Sequence, residues 1–204
     1  MKKIHYFFDP MCGWCFGATA LIKEIQAQGI EIVLHPGGLF ERQYMQDDLR
    51  AKVLSYDANI EKMTGQKFGV GYKDRIKGKE KITLDSFITA QAVMVAEKLE
   101  FKGLAILEAI QNTHYVKGVH VSQPSSLSIL AIELGLDGDK WQEAISSEEN
   151  NAKKIVQTSQ HTIGHWGIRG FPTLVLEKET GLVRLPHDQF YGNVDGWSKY
   201  LSEQ

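Results

Sequence analysis

One stretch constrains this chain more than any other: Asp9-Pro10-Met11-Cys12-Gly13-Trp14-Cys15-Phe16-Gly17. It holds both cysteines of the 204-residue sequence, set as a Cys-x-x-Cys pair. Lys3 to Phe8, rich in aromatic and β-branched residues, predicts a strand leading into it. Cys12 to Gln28 predicts a helix leading away, stopped by Gly29. Ile30 to His35 alternates and predicts a second strand. Strand, helix and strand over so short a span imply a parallel pair with a right-handed crossover. Two thiols at the start of the crossover helix are arranged for thiol–disulfide chemistry.

The reason is electrostatic. A thiolate, not a thiol, attacks a disulfide. The first turn of a helix offers unpaired N–H groups and the positive end of the macrodipole. Such sites lower a cysteine pKa from about 8.5 into the range of roughly 3.5–7.5. Cys12, nearer the N-terminus and expected to be exposed, is the candidate nucleophile. Cys15 shares its helix face and is the candidate resolving thiol. Gly13 and Trp14 carry no charge, so the helix terminus is expected to provide most of the thiolate stabilisation. A moderate potential follows, below that of a strong oxidant.

After Pro36-Gly37-Gly38 the pattern changes. From about Phe40 to Ser146 the periodicity is helical, with no convincing strand. Leu49, Val53, Tyr56, Ile60 and Met63 mark one helix, stopped by Gly65, and Lys67 to Lys81 reads as a solvated basic loop. Asp85 is a candidate N-cap for a helix carrying Ile88, Ala92, Val95 and Leu99. Phe101 to Val116 predicts another helix, and Pro124 and Gly135 bracket one more. Ser146-x-x-Glu149 has the form of a capping box opening a long helix to about Trp166. Thr173 to Glu177 and Leu182 to Leu185 predict a hairpin, and Asn193 caps a final helix. The expected organisation is two strand-bearing pieces, residues 1–39 plus 146–204, flanking an all-helical insertion, residues 40–145.

A net charge of −2 gives no electrostatic case for a nucleic-acid partner. No apolar run approaches the ~18 residues of a membrane span, and the segment after Met1 is too interrupted for a signal peptide. A cytoplasmic location is therefore expected. There, two lone cysteines are poor structural staples. Half of a zinc site, completed by His161 and His165, is the weaker reading without a second cysteine pair. Gly69-Val70-Gly71 falls short of a dinucleotide fingerprint.

Far downstream, Gly170-Phe171-Pro172-Thr173 precedes a strand. Together with the cysteine pair it resembles the thioredoxin-fold oxidoreductases. The resemblance is to the DsbA-like family, in which a helical domain is inserted into the thioredoxin fold, and within it to the FrnE-like, signal-less branch. It runs from Phe7 to Gly17 at one end and from Gly167 to Leu176 at the other. It implies an α/β thioredoxin fold with a large all-helical insertion domain, with Cys12 and Cys15 as the redox pair and Pro172 as a cis-proline facing them. It implies a substrate-binding surface of Gly13, Trp14, Phe171 and Pro172, with Phe171 presenting backbone groups to an extended substrate. The acidic residue that many relatives bury six positions before the first cysteine is Tyr6 here, so the proton acceptor for Cys15 is not identified. Asp9 is nearer, but reads equally well as an exposed turn residue. Phe171 is bulkier than usual at its position.

The first functional reading is a disulfide oxidoreductase acting on a protein or small-molecule thiol or disulfide. Its site would lie between Cys12, Pro172 and a groove roofed by the insertion. It would need no metal and no cofactor beyond its own disulfide, with glutathione as a candidate co-substrate. The alternatives are a glutathione-dependent isomerase or transferase on the same fold, and a non-enzymatic redox-sensing partner. Relatives with isomerase or transferase chemistry carry serine at the first cysteine position, and Cys12 argues against that chemistry.

Overall fold

The computed structural model describes residues 2–204. Strand β1 (Lys3–Phe8) leads into two short helices, α1 (Gly13–Gly17) and α2 (Thr19–Ala27), and then into β2 (Glu31–Pro36). The single helix expected over Cys12–Gln28 is broken at Ala18, the shared cap of both pieces. β1 and β2 run parallel, with Ile4 opposite Ile32 and Tyr6 opposite Leu34. Near the C-terminus, β5 (Thr173–Lys178) joins the other edge of β1 antiparallel, and β6 (Gly181–Arg184) returns as a hairpin. The sheet order is β2-β1-β5-β6.

The period of two along β1 assigns its side chains to opposite faces. Ile4, Tyr6 and Phe8 lie on one, under α2 and the final helix α10 (Val194–Ser202), where the Trp197 indole donates to the Leu21 carbonyl at 3.0 Å. His5 and Phe7 lie on the other, under Trp166, which ends helix α9 (Ala152–His165).

Between β2 and α9 runs a helical block. It comprises α3 (Asp47–Thr64), α4 (Val70–Lys77), α5 (Ser86–Glu100), α6 (Gly103–Gln111), α7 (Pro124–Glu133) and α8 (Gly138–Ser146). Asp85 caps α5 by accepting from the Phe87 and Ile88 amides, and Asn193 caps α10 through the Gly196 amide, both as expected.

Five further expectations are corrected. A two-stranded ribbon, β3 (Gln43–Tyr44) with β4 (Thr83–Leu84), sits inside the segment expected to hold no strand. Two residues per strand are too few to show alternation in a sequence. The basic stretch expected as a loop forms α4, with Tyr72, Arg75 and Ile76 buried. Arg50 supports it from α3, donating to the carbonyls of Arg75, Ile76 and Gly78 at the end of α4. The helix expected over Phe101–Val116 starts at Gly103 and turns π-helical over Asn112–Val116. Ser147, not Ser146, caps a short 3₁₀ turn (Glu148–Asn150), and Asn151 then caps α9 separately. The helical stripe on α3 is also shifted: Ile60 and Asp57 are buried, while Tyr56 and Met63 are exposed.

Gly69 allows α4 to reach the π-helical turn. Its amide donates to the Tyr115 carbonyl, and a Cβ at Gly69 would fall on the Val116 carbonyl oxygen. This close backbone approach is the structural use of the Gly69-Val70-Gly71 sequence. Gly69→Ala is expected to lower unfolding free energy by about 2–3 kcal/mol in urea denaturation; an unchanged midpoint would show that the two segments can separate freely.

The outer face of the sheet carries a chain of polar groups. His5 Nδ1 lies 2.9 Å from His35 Nε2, and His5 Nε2 lies 3.0 Å from Glu177. Burial, then the neighbouring His5, holds the His35 pKa down to about 4. A histidine in the unfolded chain titrates near 6.5. The unfolded state therefore takes up this proton first as pH falls, and stability present above about pH 6.5 is lost progressively down to about pH 4. Urea midpoints at pH 7 and pH 5 are expected to differ less in His35→Gln than in the parent chain.

Candidate active site

The turn after β1 is built around Asp9. Its side chain is fully buried, against the exposed-turn expectation. Oδ1 accepts from the Met11 amide at 2.9 Å and from the Ser86 hydroxyl at 2.7 Å, and Oδ2 accepts from the Leu39 amide at 2.7 Å. Burial pushes its pKa up and these donors oppose that shift. The Asp9 carbonyl accepts from the Cys12 amide, and its own amide donates to Cys15 Sγ at 3.4 Å. Asp9 thus fixes both ends of the cysteine loop.

Cys12 caps α1 in an extended conformation, and both cysteines are free thiols. Cys12 is half-buried rather than fully exposed, and Cys15 is buried. Their acidities diverge. The Cys12 pKa is lowered, chiefly by the Cys15 thiol, with burial opposing and the amides of Cys15 and Trp14 helping. The neighbouring thiol thus acts beside the helix-terminal amides on which the expectation relied. Burial pushes the Cys15 thiol well up, and its contact with Cys12 pushes it further.

The chain brings the distant loop to this pair. The Phe171–Pro172 peptide is cis, and Cys12 Sγ donates to the Phe171 carbonyl at 3.6 Å. Pro172 is buried and Phe171 half-buried. The Phe171 ring lies on Gly37, where any Cβ would overlap it, so the bulk of Phe171 is accommodated by glycine after β2. Gly13 packs on α3: a Cβ there would meet Asp57 Oδ1 and Ile60 Cδ1, each at 3.1 Å. Trp14 stacks on Tyr191, with ring centroids 5.6 Å apart. All six sequence-derived residues (Cys12, Gly13, Trp14, Cys15, Phe171 and Pro172) therefore lie around the Cys12 sulfur or line the opening beside it.

That opening is a groove of about 620 Å³, lined by Trp14, Phe171, Pro172, Arg184, His187 and Tyr191 among others. It is walled mainly by the loop after β6. The helical block contributes Met63, so the expected roof is only one side chain. Sequence reasoning missed His187 and Tyr191, which no motif flags. It also missed Asp57, a buried carboxylate held by the Tyr72 hydroxyl at 2.9 Å and pushed up to about 6 by burial. His161 and His165 are exposed on α9, and no group of three or more potential metal ligands occurs among the described residues.

A family model described as a DSBA-like thioredoxin domain matches residues 3–195. The chain belongs to this family. The fold is accordingly the DSBA-like thioredoxin fold, and the family is one of thiol–disulfide oxidoreductases. Among solved structures, the cytosolic disulfide reductase DsbM from Pseudomonas aeruginosa is 34% identical, with a TM-score of 0.89 over 99% of this chain and 98% of that one. The same protein with GSH aligns at 31% identity and a TM-score of 0.86, again over 99% and 98% of the two chains. The thiol-disulfide exchange protein alpha-DsbA2 from Wolbachia pipientis shares the fold at 15% identity and a TM-score of 0.57, over 96% of this chain and 81% of that one. No curated protein matches the sequence. No helix among the described residues is long and apolar enough to cross a membrane.

Removing the Asp9 carboxylate leaves two amides and a hydroxyl without their acceptor. Asp9→Ala is expected to cost about 3 kcal/mol or more in urea denaturation, from roughly 1–3 kcal/mol per stranded buried group. A loss below about 1 kcal/mol would mean that the loop holds its shape without this carboxylate.

Proposed function

We propose that the protein is a cytoplasmic dithiol–disulfide oxidoreductase working in the reducing direction, with glutathione as its thiol co-substrate. The observation that carries this reading is the asymmetry of the two thiols beside Pro172: one half-buried with a lowered pKa, one buried with a raised pKa. In the reaction, Cys12 as thiolate attacks a substrate disulfide, forms a mixed disulfide and releases the first thiolate. Cys15 then attacks the Cys12 sulfur, closes the Cys12–Cys15 disulfide and releases the second. Two glutathione thiols would return the pair to the dithiol form.

Substrate would lie along Phe171 and Pro172 and across Gly13 and Trp14, with the groove beside them receiving the rest of it. The glutathione assignment draws on DsbM, a relative described as cytosolic and solved with GSH. Residues 1–39 plus 146–204 would act as the redox domain and residues 40–145 as a helical domain that backs it. The isomerase or transferase reading is weaker, because both thiols of the pair are present.

Two measurements test the reading. Cys12→Ser is expected to abolish insulin reduction, whereas Cys15→Ser should accumulate a mixed disulfide visible as a mass increment. Unchanged turnover in Cys12→Ser would overturn the assignment. Equilibration with glutathione should give a potential well below the about −120 mV of strong oxidants.

A further inference from the structure

Cys15 must become a thiolate to resolve the mixed disulfide, yet it is 1% exposed. Two neighbours are candidates for taking its proton. The first is Asp9. What Asp9 turns toward the sulfur is its backbone amide, a donor. Its carboxylate already accepts from Met11, Ser86 and Leu39. A carboxylate offers about four acceptor positions, so little capacity is left.

The second is a water-sized space beside Cys15. A cavity of about 20 Å³ is lined by Cys15, Tyr6, Thr19, Ile22, Gln111 and Glu108, with further residues completing its wall. Its size suits one water molecule. Gln111 is 2% exposed, and its amide nitrogen has no hydrogen-bond partner among the described residues. A buried amide in that state calls for a polar guest. Tyr6, also buried, lines the same cavity as Cys15, and burial, then the neighbouring thiol, raises its pKa. At the outer end, the Glu108 carboxylate reaches the surface, paired with Lys23 at 2.6 Å. Buried polar groups and a surface carboxylate thus share one small chamber.

We propose that this chamber is the proton exit of the resolving cysteine: one ordered water, held by Gln111 and Tyr6, receives the Cys15 proton and relays it toward Glu108. The proposal rests on the reading of Cys15 as the resolving thiol. As the water accepts the S–H proton it passes one of its own to the Glu108 carboxylate, which returns it to solvent. The Cys15 electron pair forms the bond to the Cys12 sulfur. The bond from Cys12 to the substrate sulfur breaks, and its electron pair leaves on the substrate thiolate, which solvent protonates. Two electrons pass from the dithiol to the substrate, which is reduced as the pair is oxidised. Gln111 and Tyr6 are positioning residues here, both lining the chamber beside Cys15.

The test is stopped-flow mixing of the reduced protein with dithiobis(nitrobenzoate), a chromogenic aryl disulfide. Attack by Cys12 releases the first aryl thiolate and resolution by Cys15 releases the second, so the two steps appear as separate phases. In Gln111→Met the second phase, relative to the first, is expected to slow by roughly ten-fold at neutral pH and to move its pH profile upward. Tyr6→Phe should act in the same direction. Glu108→Gln, on the surface and tolerant of substitution, should slow the second phase less. If the phase ratio stays within about two-fold of the parent in all three variants, and the pH profile does not move, any water there is structural only and the proposal is overturned. If the unaltered protein releases no second thiolate, Cys15 is not the resolving thiol, and the functional reading falls together with the proposal.

Discussion

A single buried carboxylate joins three parts of the chain that are far apart in sequence. Through Met11 it shapes the turn that carries Cys12. Through Leu39 it holds the segment leaving β2, and through Ser86 the start of α5, 77 residues away. Burying a carboxylate is costly unless its lone pairs are filled. Asp9 is tolerated because all three partners arrive together, and each partner is fixed in turn because Asp9 is there. The same residue supplies the amide that faces Cys15. Position of the redox turn and docking of the helical block are therefore one structural event.

The rest of the site follows from close approach to that turn. Glycines at 13 and 17 let α1 lie against Asp57, Ile60 and Thr64 of α3. Phe16 continues the contact outward, stacking on Tyr115 of the π-helical turn at 5.0 Å and meeting Phe68 edge-on at 5.1 Å. Widened turns of this kind commonly accompany functional sites; here the widening presents Tyr115 to the ring of Phe16. Cys15 is enclosed by this packing and Cys12 remains at its edge. The divergence of the two thiol acidities is a product of burial as much as of sequence position.

The strands of the sheet and the six residues around the Cys12 sulfur were legible because the thiol pair carries a strong local signal and, taken with the Pro172 loop, a family resemblance. The thiol pair stands at a strand–helix junction, Pro172 stands before a strand, and the strands themselves are long enough to show a period. Three other features were not legible. Asp9 lies next to Pro10 and has the local signature of a turn, and only the folded chain reveals that Leu39 and Ser86 converge on it. The α4 helix hides in a charged, glycine-punctuated stretch because Arg75 is buried and paired with the exposed Glu80, and Arg50 spans to the helix end. Asp57, His187 and Tyr191 belong to no motif. They become part of the site only through the tertiary contacts of α3 and of the loop after β6.

The order in which these parts leave the ribosome gives the hydrogen bond between Cys12 and the Phe171 carbonyl a further meaning. The two residues are 159 positions apart. At typical elongation rates the reactive pair emerges roughly 10–30 s before the loop that borders it. Throughout that interval the nascent chain displays a dithiol without the groove that would select its partners. Selectivity toward partners therefore arrives only with the C-terminal part of the chain, after the reactive pair has already emerged.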